Sequence, residues 1–114
     1  MKEIVRKINS YQLTLNRMKL KTGFRSRNMK ELREKANALF EAITHAKAEN
    51  QSKICPSKLR KLWDISRFLL FAYFDNNKTA YTADMQIAID TMLDVIAVDN
   101  SNLFEQWYLD HRIL

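Results

Sequence analysis

The sequence predicts an all-α protein, a compact bundle of about five helices, and three observations carry that expectation. Glycine and proline occur once each in 114 residues, as Gly23 and Pro56, so hairpins, glycine-rich phosphate loops and long flexible linkers lack their usual residues. Apolar residues return every three or four positions over most of the chain, the period of a helix with one buried face. Hydrophobic residues make up 46% and charged residues 28%, a balance that fills a core and lies far from that of disordered chains. At this length residues 1–114 are expected to form one domain.

The first helix is expected from Lys2 to about Thr22, because Ile4, Ile8, Tyr11, Leu15 and Met18 share one face. Gly23 is placed to end it as a left-handed residue after a cationic last turn. Leu13 and Leu20 sit off that face and suggest a second apolar contact. Asn28 and Glu31 read as a capping box that opens a second helix from Met29 to about Glu49. Its inner face is Leu32, Ala36, Leu39, Phe40, Ile43 and Ala46 or Lys47, and Glu31 with Lys35 supports the outer side as an i, i+4 pair. Pro56, whose missing N–H costs nothing in a first turn, begins a third helix reaching about Asp75.

In that third helix Leu59, Leu62 and Trp63 face inward while Lys58, Arg60 and Lys61 face outward. The run Phe68 to Phe74 is apolar on every side, as expected of a helix surrounded by others. Phe68, Leu69, Phe71 and Ala72 are therefore expected to be largely buried. Thr79 or Thr82 caps a fourth helix with the stripe Met85, Ile89, Met92 and Ile96, with Asp84 in its first turn and Asp90 and Asp94 on its outer face. Asn102 and Glu105 repeat the capping box and open a short fifth helix carrying Leu103, Phe104, Trp107 and Tyr108.

Charge is distributed unevenly. Residues 1–67 hold 17 Lys and Arg against 6 Asp and Glu, whereas residues 68–114 hold 2 against 7. Such asymmetry points to nucleic acid, an acidic protein surface or an anionic membrane as partner of one half, or to neutralisation of one half by the other. The densest group is Lys19, Lys21, Arg25, Arg27, Lys30 and Arg33, with Phe24 among them. Arginine grips phosphate bidentately, an aromatic ring stacks on an unpaired base, and a helix N-terminus adds free N–H groups. A second group, Lys53, Lys58, Arg60, Lys61 and Arg67, surrounds the start of the third helix, and adjacency of the two in space would give a continuous groove. The competing interpretation of either group is a solvated charged surface. The helix lengths do not fit the compact helix-turn-helix or homeodomain motifs, so nucleic-acid contact is expected mainly with the backbone.

Signals for catalysis are weak. His45 and His111 are the only histidines, and neither belongs to a pair at helical metal-ligand spacing, so no metal or other cofactor is expected. Asp110 and His111, adjacent on a helix, point about 100° apart. Cys55 is the only cysteine, which rules out an internal disulfide and suits a reducing compartment. No secretion signal and no apolar run of about 20 residues is present, so a cytoplasmic protein without a membrane partner is expected. Asp84, Asp90, Asp94 and Asp99 are spaced too widely along a helix for a cation cage. Trp63, Phe104, Trp107 and Tyr108 are core by default, whereas exposure of Trp107 and Tyr108 would mark a protein interface.

The segment Ile54-Cys-Pro-Ser-Lys-Leu-Arg-Lys-Leu62, which follows a helix and a polar loop, resembles the loop-to-helix segment of helical small subunits of CRISPR effector complexes. The resemblance covers these nine residues, and the chain after Trp63 departs from it. It implies a non-catalytic basic helical subunit lying along a nucleic-acid backbone. The expected function is accordingly that of a small non-enzymatic accessory or regulatory protein that binds nucleic acid or a nucleoprotein complex through its basic N-terminal half. The alternative is a protein-only adaptor or inhibitor, of phage or plasmid type, docking through Asp90, Asp94, Trp107 and Tyr108.

Overall fold

The apolar period of each segment is realised as a helix. The computed structural model describes residues 2–20, 26–49, 54–71, 78–98 and 101–111, with side chains placed for 2–18, 30–49, 54–71, 83–98 and 101–111. Five helices follow in order, α1 (Lys2–Leu20), α2 (Ser26–Ala48), α3 (Pro56–Phe71), α4 (Lys78–Ala97) and α5 (Asn102–Asp110). Helix α1 packs on α2, α2 on α3, α3 on α4, and α4 closes the ring on α1. Contacts at the helix ends give the directions: Arg17 near the end of α1 meets Glu31 near the start of α2, and Lys58 at the start of α3 meets Ile96 at the end of α4. The four long helices thus form an up-down-up-down bundle, and α5 lies against α4.

The predicted faces account for most of the core. Ile4, Ile8, Tyr11, Leu15 and Met18 are all buried, as are Leu32, Ala36, Leu39, Ile43, Leu59, Leu62, Met85, Ile89 and Met92. Ile65, Leu69, Ala88, Val95 and Trp107 join them in one cluster that draws on every helix. Gln12 of α1 and Gln86 of α4 exchange amide hydrogen bonds of 2.9 and 2.8 Å, pinning the seam where the ring closes.

Several expected boundaries and contacts differ. Helix α2 begins at Ser26 rather than Met29, so Asn28 lies inside the helix and the expected box does not form its start. Glu31 is bonded at 2.7 Å to Arg17 across the α1–α2 seam. Helix α4 begins at Lys78, which puts Thr79 and Thr82 within it and Asp84 beyond its first turn. The cap of α5 is Ser101, one residue ahead of Asn102: its hydroxyl accepts the Phe104 N–H at 3.0 Å and donates to Asp94 at 2.5 Å. A serine reaches the third amide with a short side chain, and here the carboxylate behind it holds the hydroxyl in place.

The run from Phe68 is not buried on every side. Leu69 is completely buried, Phe68 and Leu70 are half-buried, and Phe71 is 53% exposed. Continuing the helical phase of Leu59, Leu62, Ile65, Ser66 and Leu69 turns residue 71 outward, in line with Arg60 and Arg67. Ala72 and the rest of the run lie outside the described residues. Leu13, off the main face of α1, is exposed.

Candidate functional site

The outward phase of α3 places Arg60, Asp64, Arg67 and Phe71 along one side of the helix, at steps of four, three and four. Helix α2 runs antiparallel beside it and supplies Arg33, Phe40, Thr44 and Lys47 from its flank. The contacts between these residues join cations to aromatic rings. The Trp63 ring has the Lys47 ammonium 4.8 Å and the Arg67 guanidinium 5.7 Å from its centroid. The same guanidinium stands 5.8 Å from the centroid of Phe71. Phe40 lies 5.6 Å from Trp63, and the indole N–H donates to the Thr44 hydroxyl at 3.2 Å. Each such cation over a solvent-accessible ring face contributes about 0.5–1 kcal/mol.

Two grooves continue the line at its ends. One, of 560 Å³, is lined by Lys30, Arg33, Glu34, Asn37, Leu70 and Phe71. The other, of 220 Å³, lies between α3 and α5 and is lined by Ser57, Arg60, Lys61, Asp64, Phe104 and Tyr108. In the second, the Lys61 ammonium is 5.4 Å from the Phe104 centroid, and Phe104 stacks on Tyr108 at 5.9 Å and 28°. Tyr108 is 47% exposed. Lys30, Arg33, Lys47, Arg60 and Arg67 thus follow one another along the α2–α3 face, Lys61 continues them into the α3–α5 groove, and the carboxylates Glu34 and Asp64 lie among them.

Asp64 reports on this surroundings. Burial pushes its carboxyl above the usual range, and that effect outweighs the opposing pull of Arg60, Lys47 and Arg67. Three nearby cations failing to lower an acid indicates that desolvation between α3 and its neighbours dominates there.

The predicted site residues divide sharply. Lys30 and Arg33 are exposed on α2 and lie beside Phe71. The side chains of Lys19, Lys21, Phe24, Arg25 and Arg27, the rest of that basic group, lie outside the described residues, as does Lys53. Arg60 is exposed and Lys61 half-buried in the α3–α5 groove. Lys58 is turned the other way: its ammonium donates at 3.3 Å to the Ile96 carbonyl, where a cation complements the C-terminal end of α4. It serves the fold and does not face the groove.

Among the residues assigned to protein docking, Trp107 is 2% exposed and belongs to the core, packed edge-on by Phe68 at 5.7 Å and stacked by His111 at 5.4 Å. It presents no surface to a partner. Asp94 is occupied by the Ser101 cap. Asp90 is exposed and takes an amide proton of Gln86 at 3.0 Å, and Tyr108 is exposed as well. Lys47, Trp63, Phe71 and Phe104 were not read as site residues from sequence; the signal that finds Phe71 is helical phase, obscured by the uniformly apolar run.

The histidines form no reactive constellation with a nucleophile. His45 pairs with Glu49 at 2.9 Å on the surface. His111 is 3.9 Å from Asp84, a contact invisible in the sequence, and its Nδ1 lies 3.1 Å from the Trp107 carbonyl. Asp110, its sequence neighbour, accepts instead from Gln106. Among the described residues no three His, Cys, Asp or Glu side chains converge as a metal site, and no helix is long and apolar enough to cross a membrane. Cys55 is exposed, and its carbonyl accepts the Leu59 N–H in the first turn of α3.

Comparison with family models, with curated proteins and with solved structures gives no match. The nine-residue resemblance over Ile54–Leu62 therefore carries no argument below.

Proposed function

We propose that this chain is a non-catalytic accessory protein that binds nucleic acid, by backbone contacts, along the α2–α3 face. The observation that carries the reading is the line of cations and rings from Lys30 and Arg33, past Phe71, Arg67, Trp63 and Lys47, to Arg60 and Lys61, with Glu34 and Asp64 set among them. A solvated helix surface disperses its charges. Here cations from two helices line one face, and the Arg67 guanidinium and Lys47 ammonium are held over rings. From Arg60 to Phe71 the face extends about 16 Å at 1.5 Å per residue, about the length over which a nucleic-acid strand presents five phosphates at 3.4 Å each.

Among the described residues of the acidic half, four carboxylates have partners other than these cations. Asp84 faces His111, while Asp90, Asp94 and Asp110 take hydrogen bonds from Gln86, Ser101 and Gln106. Those carboxylates answer neutral donors or a histidine on their own side of the molecule.

The test is titration of labelled single-stranded and duplex DNA and RNA at several salt concentrations. If all six cations neutralise a phosphate, the logarithm of the binding constant falls against that of salt with a slope of about −4 for a single strand. Reversing the exposed pair Lys47→Glu and Arg60→Glu weakens binding to all sequences alike, because backbone contacts position a ligand without reading bases. Absence of binding at low salt refutes the proposal and transfers the exposed Asp90 and Tyr108 to the protein-adaptor reading.

A further inference from the structure

The cations of the α2–α3 face would serve duplex and single strand equally; the aromatic rings would not. Phe71 stands beside Lys30, Arg33 and Arg67 at one end of the face, and Tyr108 beside Arg60 and Lys61 at the other. Each leaves about half its surface to solvent, 53% for Phe71 and 47% for Tyr108. Neither is needed to fill the core, which Leu69 and Trp107 complete from the same helices. A large ring kept half-exposed next to guanidinium and ammonium groups is the arrangement on which unpaired bases stack while the adjoining phosphates are neutralised. A duplex keeps its base faces buried in its own stack and has nothing to offer these rings.

We infer that the ligand is single-stranded nucleic acid, with unpaired bases stacked on Phe71 and in the α3–α5 groove on Tyr108. The inference rests on the nucleic-acid reading above and specifies its substrate class. The groove suits the role. Tyr108 is backed by Phe104 at 5.9 Å, and Phe104 is itself covered by the Lys61 ammonium, so the outer ring is held flat against a fixed support. Ser57 and Arg60 at the rim supply donors for a phosphate or sugar. The ring-to-ring path along α3 passes Arg67 over Trp63 and Phe71, so a strand entering at one platform follows cations to the other.

The experiment measures fluorescence anisotropy of a labelled oligonucleotide of mixed sequence, as single strand and as duplex, in DNA and RNA forms, with the full chain and with Phe71→Ala, Tyr108→Ala and the conservative Tyr108→Phe. Thermal unfolding checks that each variant is folded. The expected result is at least tenfold tighter binding of single strand than duplex. Each alanine variant should lose about 5- to 150-fold for single strand, the range for one stacked base, and little for duplex, with Tyr108→Phe close to wild type. Equal affinity for both forms, with alanine variants unchanged while Lys47→Glu with Arg60→Glu still abolishes binding, overturns the stacking inference and leaves the backbone reading standing. No binding of any form at low salt overturns the backbone reading itself.

Discussion

Two residues of the same apolar run, Leu69 and Phe71, separate the interior of this bundle from its outward α3 face, and truncating each to alanine measures the difference. Leu69 is completely buried within the cluster formed by all five helices. Leu69→Ala removes its branched end and leaves a cavity, at a cost of about 2–5 kcal/mol. Unfolding a chain of 114 residues releases roughly 0.24 kcal/mol per kelvin, so each kcal/mol moves the melting temperature by about 4 °C and the variant should melt about 8–20 °C lower. Phe71 has more than half its surface in water and the Arg67 guanidinium 5.8 Å from its centroid. Phe71→Ala forfeits that cation–ring contact, about 0.5–1 kcal/mol, and the burial of about half the ring, about 0.7–1.4 kcal/mol, so its melting temperature should fall by about 5–10 °C. Circular dichroism of thermal and urea unfolding reads both. A loss from Phe71→Ala equal to that from Leu69→Ala would refute the helical phase assigned to α3, and with it the outward line of Arg60, Arg67 and Phe71.

Further expectations follow from single contacts. Ser101→Ala should cost about 1 kcal/mol by leaving the Phe104 N–H without its cap, whereas Asn102→Ala should be nearly neutral; the reverse order in urea melts would restore Asn102 as the cap. Asp64→Asn should stabilise the protein at neutral pH. Its folded carboxyl is held above the ordinary value of 3.8 by burial, so the ionised group carries a penalty that is absent below about pH 3.8 and accrues as pH rises through the folded pKa. The two proteins' melting temperatures should therefore diverge upward from that pH and run parallel above it. A less stable Asn variant at pH 7 would mean that Arg60, Lys47 and Arg67 outweigh the desolvation. Removing this carboxylate from the basic face should also tighten nucleic-acid binding at low salt, in the same titration as the charge reversals.

Legibility in the sequence followed the range of the interaction concerned. The five buried positions of α1 and the main faces of α2 and α4 were readable because each depends on one period within one helix. Helix starts were less so, because capping signals compete locally: Ser101 and Asn102 both suit a cap, and the choice is settled by Asp94, seven residues back, which holds the serine hydroxyl. Phe71 was misplaced because a run of seven apolar residues carries no amphipathic contrast; only the phase inherited from Leu59 and Leu62 distinguishes its two sides. The approach of Lys47 and Arg67 over Trp63 joins residues 20 apart in the C-terminal halves of two different helices, and no local pattern announces it. Lys58 illustrates the converse, a residue that sequence groups with its basic neighbours and the fold assigns to the end of α4.

The asymmetry of charge acquires a physical sense once these assignments are made. Across the α3–α4 seam the Lys58 ammonium donates to the backbone carbonyl of Ile96. Arg17 and Glu31 form an ion pair within the basic half itself, across the α1–α2 seam. On the α2–α3 face Lys47 and Arg67 stand over the Trp63 ring, and Arg67 over Phe71 as well, where an ammonium or guanidinium is partly desolvated. That arrangement conserves positive potential at the surface while restricting side-chain motion, so an approaching polyanion gains charge attraction without first ordering its receptor. On the proposed reading, the cations would govern encounter and salt dependence, and the half-exposed rings at the two ends would govern which form of nucleic acid remains bound.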